Sequence, residues 1–144
     1  MMDDILVKID SVNFFPERQH KTDAGADLKS TEMVTILPGQ TKKISSGVRI
    51  SIPEGYVGLV FPRSGLSTNY GIRLANTVGI IDPEYRGIIY ASVCNDSETP
   101  YTISFGERIA QLVIIPMVTP SFMAVEELPE SSRGCNGFGS TGIR

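Results

Sequence analysis

The chain has 144 residues, 41% hydrophobic and 20% charged, with a formal net charge of −3. That balance fits one soluble globular domain, able to bury roughly two thirds of its unfolded surface, and argues against the strongly basic surface of a direct nucleic-acid binder. Two cysteines, Cys94 and Cys135, and one histidine, His20, are too few for a disulfide framework or a zinc site; both thiols read as reduced in an intracellular protein, cytoplasmic or nuclear.

The start, Met-Met-Asp-Asp, lacks the basic-then-apolar order of a signal peptide. Ile5, Val7 and Ile9 alternate with other residues, the period-2 mark of a half-buried strand. The polar stretch Pro16 to Asp23 reads as a loop, and Pro38-Gly39 as a turn. Val48, Ile50 and Ile52 alternate with Arg49 and Ser51 before a turn at Pro53-Glu54-Gly55. Val57 to Phe61 is continuously apolar and suits a strand buried on both faces. Ser64 to Asn69 is the one stretch that suits a short helix, with Ser64 as its cap and Gly71 as its stop.

Asn76 to Tyr85 reads as a hairpin. Ile88 to Cys94 and Ile109 to Ile115 are again continuously apolar. Between them, the polar stretch Asn95 to Pro100 precedes an alternation of Tyr101, Ile103 and Phe105, closed by Gly106. The longest apolar run, Leu112 to Val118, contains Pro116 and is too short to span a bilayer. Short strands with frequent turn residues point to an all-β antiparallel sandwich or jelly roll. The tail Glu130 to Arg144 is glycine-rich without apolar periodicity, so it has no stable structure of its own to expect.

Five segments carry chemistry, and each also has a plain structural reading. Ala24-Gly-Ala-Asp-Leu28 contributes the carboxylate Asp27. Pro62-Arg-Ser-Gly-Leu-Ser67 sets Arg63, Ser64 and the Gly65 amide at a helix start, either an anion site or a common turn. In Asn76 to Gly87, Asp82 is a turn residue or a base, and Tyr85 a core or rim residue. In Gly106 to Gln111, Arg108 either pairs with an acid to hold the fold or serves a ligand, and Gln111 is an amide in an apolar strand that needs partners. In the tail, residues 137 to 142 match G-x-G-x-x-G, but the chain ends two residues later. The helix that the dinucleotide fingerprint requires therefore has no room. Arg133, Ser140, Thr141 and the exposed amides suit phosphate oxygens, and Phe138 suits stacking on a base; the alternative is a disordered terminus.

In this order and spacing, the five segments resemble the trimeric dUTPase family over Ala24 to Gly142. Asn136 stands where many members have glycine, and Ser30 and Ser67 where alanine is frequent. The resemblance implies a jelly-roll-like distorted β-barrel with at most one short helix. It implies a domain over 1–132 and a mobile lid over 133–144, assembled as a homotrimer with sites shared between subunits. It implies hydrolysis of dUTP to dUMP and diphosphate with Mg2+, limiting uracil in DNA and supplying dUMP for dTMP synthesis.

By the same resemblance, Asp82 is the base that deprotonates the attacking water. Arg63, Ser64, Gly65 and Gln111 bind phosphate oxygens, Gln111 close to the chemistry, and Arg133, Ser140 and Thr141 clamp the outer phosphates. Asn76, Gly79, Ile81, Asp82 and Tyr85 form the uracil and deoxyribose pocket, which Phe138 and Gly139 cover. Asp27 supports the metal's water shell. A dCTP deaminase of the same fold would carry a glutamate in the strand matching Ile88 to Asn95, which here has no carboxylate. A scaffold that has lost catalysis would be expected to lack the base or the lid, and Asp82, Tyr85, Gln111 and Phe138 are all present.

Overall fold

The computed structural model describes residues 4–137. Its strands in chain order are β1 (Leu6–Ile9), β2 (Ala26–Lys29), β3 (Val34–Ile36), β4 (Thr41–Ser45), β5 (Val48–Ser51) and β6 (Tyr56–Phe61). They continue as β7 (Ile72–Leu74), β8 (Gly79–Ile81), β9 (Tyr90–Asn95), β10 (Tyr101–Ile103) and β11 (Arg108–Pro116). One α-helix, α1 (Ser64–Tyr70), and a 3-10 turn at Val12–Phe14 complete the described residues.

All strand pairs are antiparallel. They form ladders in the orders β2-β11-β6-β8, β4-β9-β7, β1-β5 and β10-β3. The jelly-roll-like architecture expected from the sequence is present, but not a closed barrel: no ladder joins its first strand to its last. Closure is left to side chains, and one apolar core fills the space between ladders. Leu28, Ile36, Ile44, Val48, Ile103 and Ala110, from six different strands, are each at most 1% exposed there.

The period-2 reading holds in β5, where Val48 and Ile50 are buried while Arg49 and Ser51 are half-exposed. The continuous runs are less uniform than expected. In β6, Val57, Gly58 and Val60 are buried while Leu59 and Phe61 are half-exposed. β9 begins at Tyr90, two residues after Ile88. Phe105 does not extend β10: Glu107 N–H donates to the Ser104 carbonyl and its carboxylate accepts from Ser104 N–H at 2.8 Å. That turn leaves Phe105 61% exposed, edge-on to Phe14. Cys94 is buried, and burial raises its thiol above the ordinary range, so it stays protonated. Among the described residues no helix is long and apolar enough to cross a membrane.

Candidate active site

β2, β11 and β6 lie side by side, with Asp27 opposite Gln111 and Gln111 opposite Phe61. A strand's side chains alternate between faces, so Arg108 and Gln111, an odd number of residues apart, should point in opposite directions. A β-bulge between Arg108 and Ala110 resets the alternation. Arg108 then shares a face with Asp27. The Asp27 carboxylate, 8% exposed, accepts from Arg63 Nε at 3.0 Å through one oxygen and from Arg108 Nη1 at 3.3 Å through the other. Burying a carboxylate is costly unless hydrogen-bonded cations offset it, and two guanidinium groups do so here.

Arg63 is also the N-cap of α1, although its side chain makes no capping bond. The sequence reading assigned that cap to Ser64, which instead is the first helical residue and exposed. A guanidinium has no acceptor to offer helix amides, so the Arg63 side chain, bonded to Asp27, leaves the helix start without a side-chain cap. Gly71 ends the helix as expected, in the left-handed conformation at φ 66°. Gln111 Nε2 donates to the Pro62 carbonyl at 2.9 Å, which fixes the amide beside the helix start.

Asp27, Arg63, Ser64, Gly65 and Gln111 line one cavity of about 370 Å³, together with Gln19 and Asp23. The last two come from the loop that the sequence reading left without a role, and polarity was its one signal. Gly25 is a packing requirement here: a Cβ on it would press into the Gln111 side chain, 3.1 Å from Cβ and 3.2 Å from Cδ. Gly25→Ala is expected to displace the Gln111 amide from Pro62 and lower stability by about 2 kcal/mol in denaturant unfolding. An unchanged midpoint would mean that Gln111 yields freely and is not held.

The second group gathers around β8, which among the described residues is an edge strand paired with β6 alone. An edge strand leaves alternate N–H and C=O groups unpaired, and such groups can pair with the edge of a base. Asn76, Gly79, Ile81, Asp82 and Tyr85 line a cavity of about 290 Å³ here, together with Lys43 and Tyr90. Tyr85 closes a turn by donating its N–H to the Asp82 carbonyl at 3.1 Å, and its hydroxyl donates to the Ile88 carbonyl at 2.9 Å. That second bond fixes the ring as a wall. Gly87 leaves room for it, since a Cβ there would come within 2.6 Å of the ring's Cζ. Asp82 is exposed. Thr77, at the tip before β8, has φ 63°, a rare conformation for a β-branched residue.

The two groups line separate cavities. Gly79 pairs with Val60 and Ile81 with Gly58, so Asp82 continues past the Val57 end of β6, whereas Arg63 follows its Phe61 end. At about 3.3 Å per residue, the six steps from Val57 to Arg63 put roughly 20 Å between Asp82 and Arg63 along the strand. Arg133 lines neither cavity; its Nε donates to the Asn136 carbonyl at 2.8 Å. Phe138, Gly139, Ser140 and Thr141 lie outside the described residues.

Among the described residues no three His, Cys, Asp or Glu side chains converge as metal ligands. The carboxylates at the first cavity are Asp23 and Asp27, and Asp27 already serves two guanidinium groups. This donor set fits a metal carried mainly by a ligand's own phosphates better than one held by protein alone.

A family model described as dUTPase matches residues 14–142. The deoxyuridine 5'-triphosphate nucleotidohydrolase of Leifsonia xyli is 46% identical over 128 residues, 88% of this chain and 84% of that protein. The enzyme of the same name from Desulfitobacterium hafniense is 43% identical over 150 aligned positions, covering 99% of each. Among solved structures, the dUTPase of Staphylococcus bacteriophage 80alpha with dUpNHpp is 38% identical and superposes with a TM-score of 0.91, covering 99% of this chain and 100% of that one. A mutant dUTPase of phage phi11 of S. aureus, described with a structural Mg(II) ion, is 34% identical with a TM-score of 0.81, covering 89% of this chain and 100% of that one.

Proposed function

The chain belongs to the dUTPase family, and on that premise we propose that it hydrolyses dUTP to dUMP and diphosphate by Mg2+-assisted attack of water on the α-phosphorus. The observation that carries this reading is the cavity at β8: an edge strand beside a pinned tyrosine and an exposed carboxylate. Unpaired β8 backbone groups would bind the uracil edge. Tyr85, fixed on Ile88, would lie against the deoxyribose and exclude a 2′-hydroxyl. Asp82 would hold a water and take its proton as the water oxygen bonds to the α-phosphorus. The bond from that phosphorus to the β-phosphate bridging oxygen then breaks, and diphosphate leaves.

Arg63, Ser64, Gly65 and Gln111 would hold phosphate oxygens as charge moves onto the leaving group, and this positioning provides most of the catalysis in phosphoryl transfer. Mg2+ carried by the triphosphate would neutralise part of its charge. Asp27 would keep Arg63 aimed and accept from waters of the metal's shell. Residues 133–144 would close as a lid, with Arg133, Ser140 and Thr141 on the outer phosphates and Phe138 and Gly139 over the uracil. The reaction would limit uracil incorporation into DNA and supply dUMP for dTMP synthesis.

We read the protein as a homotrimer with shared sites, and the roughly 20 Å between Asp82 and Arg63 along β6 supports sharing between copies. The substrate must meet both, so a second copy would supply the missing half. The segment after β11 supports assembly: Val118, Phe122, Met123 and Leu128 are each more than 80% exposed, and a run of exposed apolar residues marks a contact surface. Diphosphate release from dUTP, UTP, dTTP and dCTP with Mg2+ tests the activity. We expect dUTP to be favoured over UTP by at least about a hundredfold. Equal turnover of UTP would remove the Tyr85 role, and no turnover of any of the four would overturn the function.

A further inference from the structure

We propose that Lys43 binds the α-phosphate of the substrate from the base-side cavity, with Tyr90 as the platform that aims it. The proposal rests on the dUTP reading of that cavity. Neither residue belongs to the five segments that carry the family resemblance. β4 and β9 pair so that Ser45 faces Tyr90 and Lys43 faces Ser92. Lys43 and Tyr90 therefore share a face as diagonal neighbours. The Lys43 ammonium sits 4.0 Å from the centre of the Tyr90 ring, within reach of the ring's negative face.

Both side chains line the cavity that Asp82 and Tyr85 also line. Among the described residues, Lys43 is that cavity's cation and Asp82 its carboxylate. A flexible lysine ordinarily loses much rotamer freedom when it binds an anion. Held over an aromatic face, it has lost part of that freedom before the ligand arrives. Of the substrate's charged groups, the α-phosphate is the one that must lie within a water's reach of Asp82. In a cavity of about 290 Å³ that Lys43 also lines, a phosphate held there would come within reach of a long lysine side chain. Arg63 and Gln111, on another copy, would hold other oxygens of the phosphate chain.

The α-phosphate is the only charged group of dUMP, and deoxyuridine lacks it. In the full-length protein, Lys43→Met is expected to raise the KM for dUTP and the inhibition constant of dUMP about tenfold each. Inhibition by deoxyuridine should stay unchanged. Lys43→Arg should restore both to within about threefold, because the cation and its aromatic partner are kept. Tyr90→Leu should give a smaller rise with the same pattern. An unchanged dUMP constant in Lys43→Met, or an equal weakening of deoxyuridine, would overturn the proposal. A wild-type protein that does not turn over dUTP would remove the parent reading, whereas an active wild type with an unaffected Lys43→Met removes the lysine's role alone.

Discussion

Replacing Asp82 with asparagine is expected to lower the rate of dUTP cleavage about a thousandfold while leaving the fold and nucleotide binding nearly intact. The substitution keeps the shape, and asparagine suits a turn as well as aspartate does. Asp82 is exposed, so no desolvation or packing term changes with it. What is lost is the proton acceptor, since a neutral amide can orient a water but cannot take its proton at neutral pH. Diphosphate release measures the loss, and titration with dUpNHpp measures the retained binding. A rate within tenfold of wild type would remove Asp82 as the base.

Asp27→Ala is expected to act on stability and activity together. Its carboxylate is the shared acceptor of Arg63 and Arg108. Without it, two guanidinium groups face each other across a partly buried gap. Breaking a fully buried pair costs about 3–5 kcal/mol. The two arginine side chains are 31% and 40% exposed, and solvent screening reduces the cost to about 2 kcal/mol. In a domain of this size that lowers Tm by about 5 °C. Arg63, no longer held beside the helix start, should lose its aim, and kcat/KM for dUTP should fall about a hundredfold. A thermal melt and a kinetic run check the two effects. Unchanged values in both would mean that Asp27 neither supports the fold nor sets Arg63.

Much of the site was legible because its chemistry is local in sequence. Asp82 to Tyr85 form one turn, and Arg63 to Gly65 one helix start. The longer alternations, as in β5, were legible for the same reason. The shortest elements were not. β4 reads Thr-Lys-Lys-Ile-Ser and buries only Ile44, so it offers no period to detect. β2 buries Asp27, a residue that isolated strands disfavour, because the arginines come from β11 and the start of α1.

The bulge at Arg108 was invisible for a different reason. It is a matter of register between two strands, and no single segment encodes it. Gln19 and Asp23 join the phosphate-side cavity only through the fold, since Glu17 bridges to Asp27 and brings the loop across. The jelly-roll-like arrangement is legible in the strand pattern, whereas the order of strands within each ladder depends on pairings that periodicity does not fix.

A dUTP-cleaving site completed between copies takes Asp82 from one chain and Arg63 from another. Mixing two variants that are inactive alone, Asp82→Asn and Arg63→Ala, and measuring diphosphate release after the subunits are exchanged tests that arrangement. In mixed assemblies some sites receive an intact Asp82 from one chain and an intact Arg63 from its neighbour. With random exchange, about a quarter of wild-type activity should return. If each chain builds its own site, the exchanged mixture will show no more activity than the two variants measured separately, and the shared-site account will be wrong.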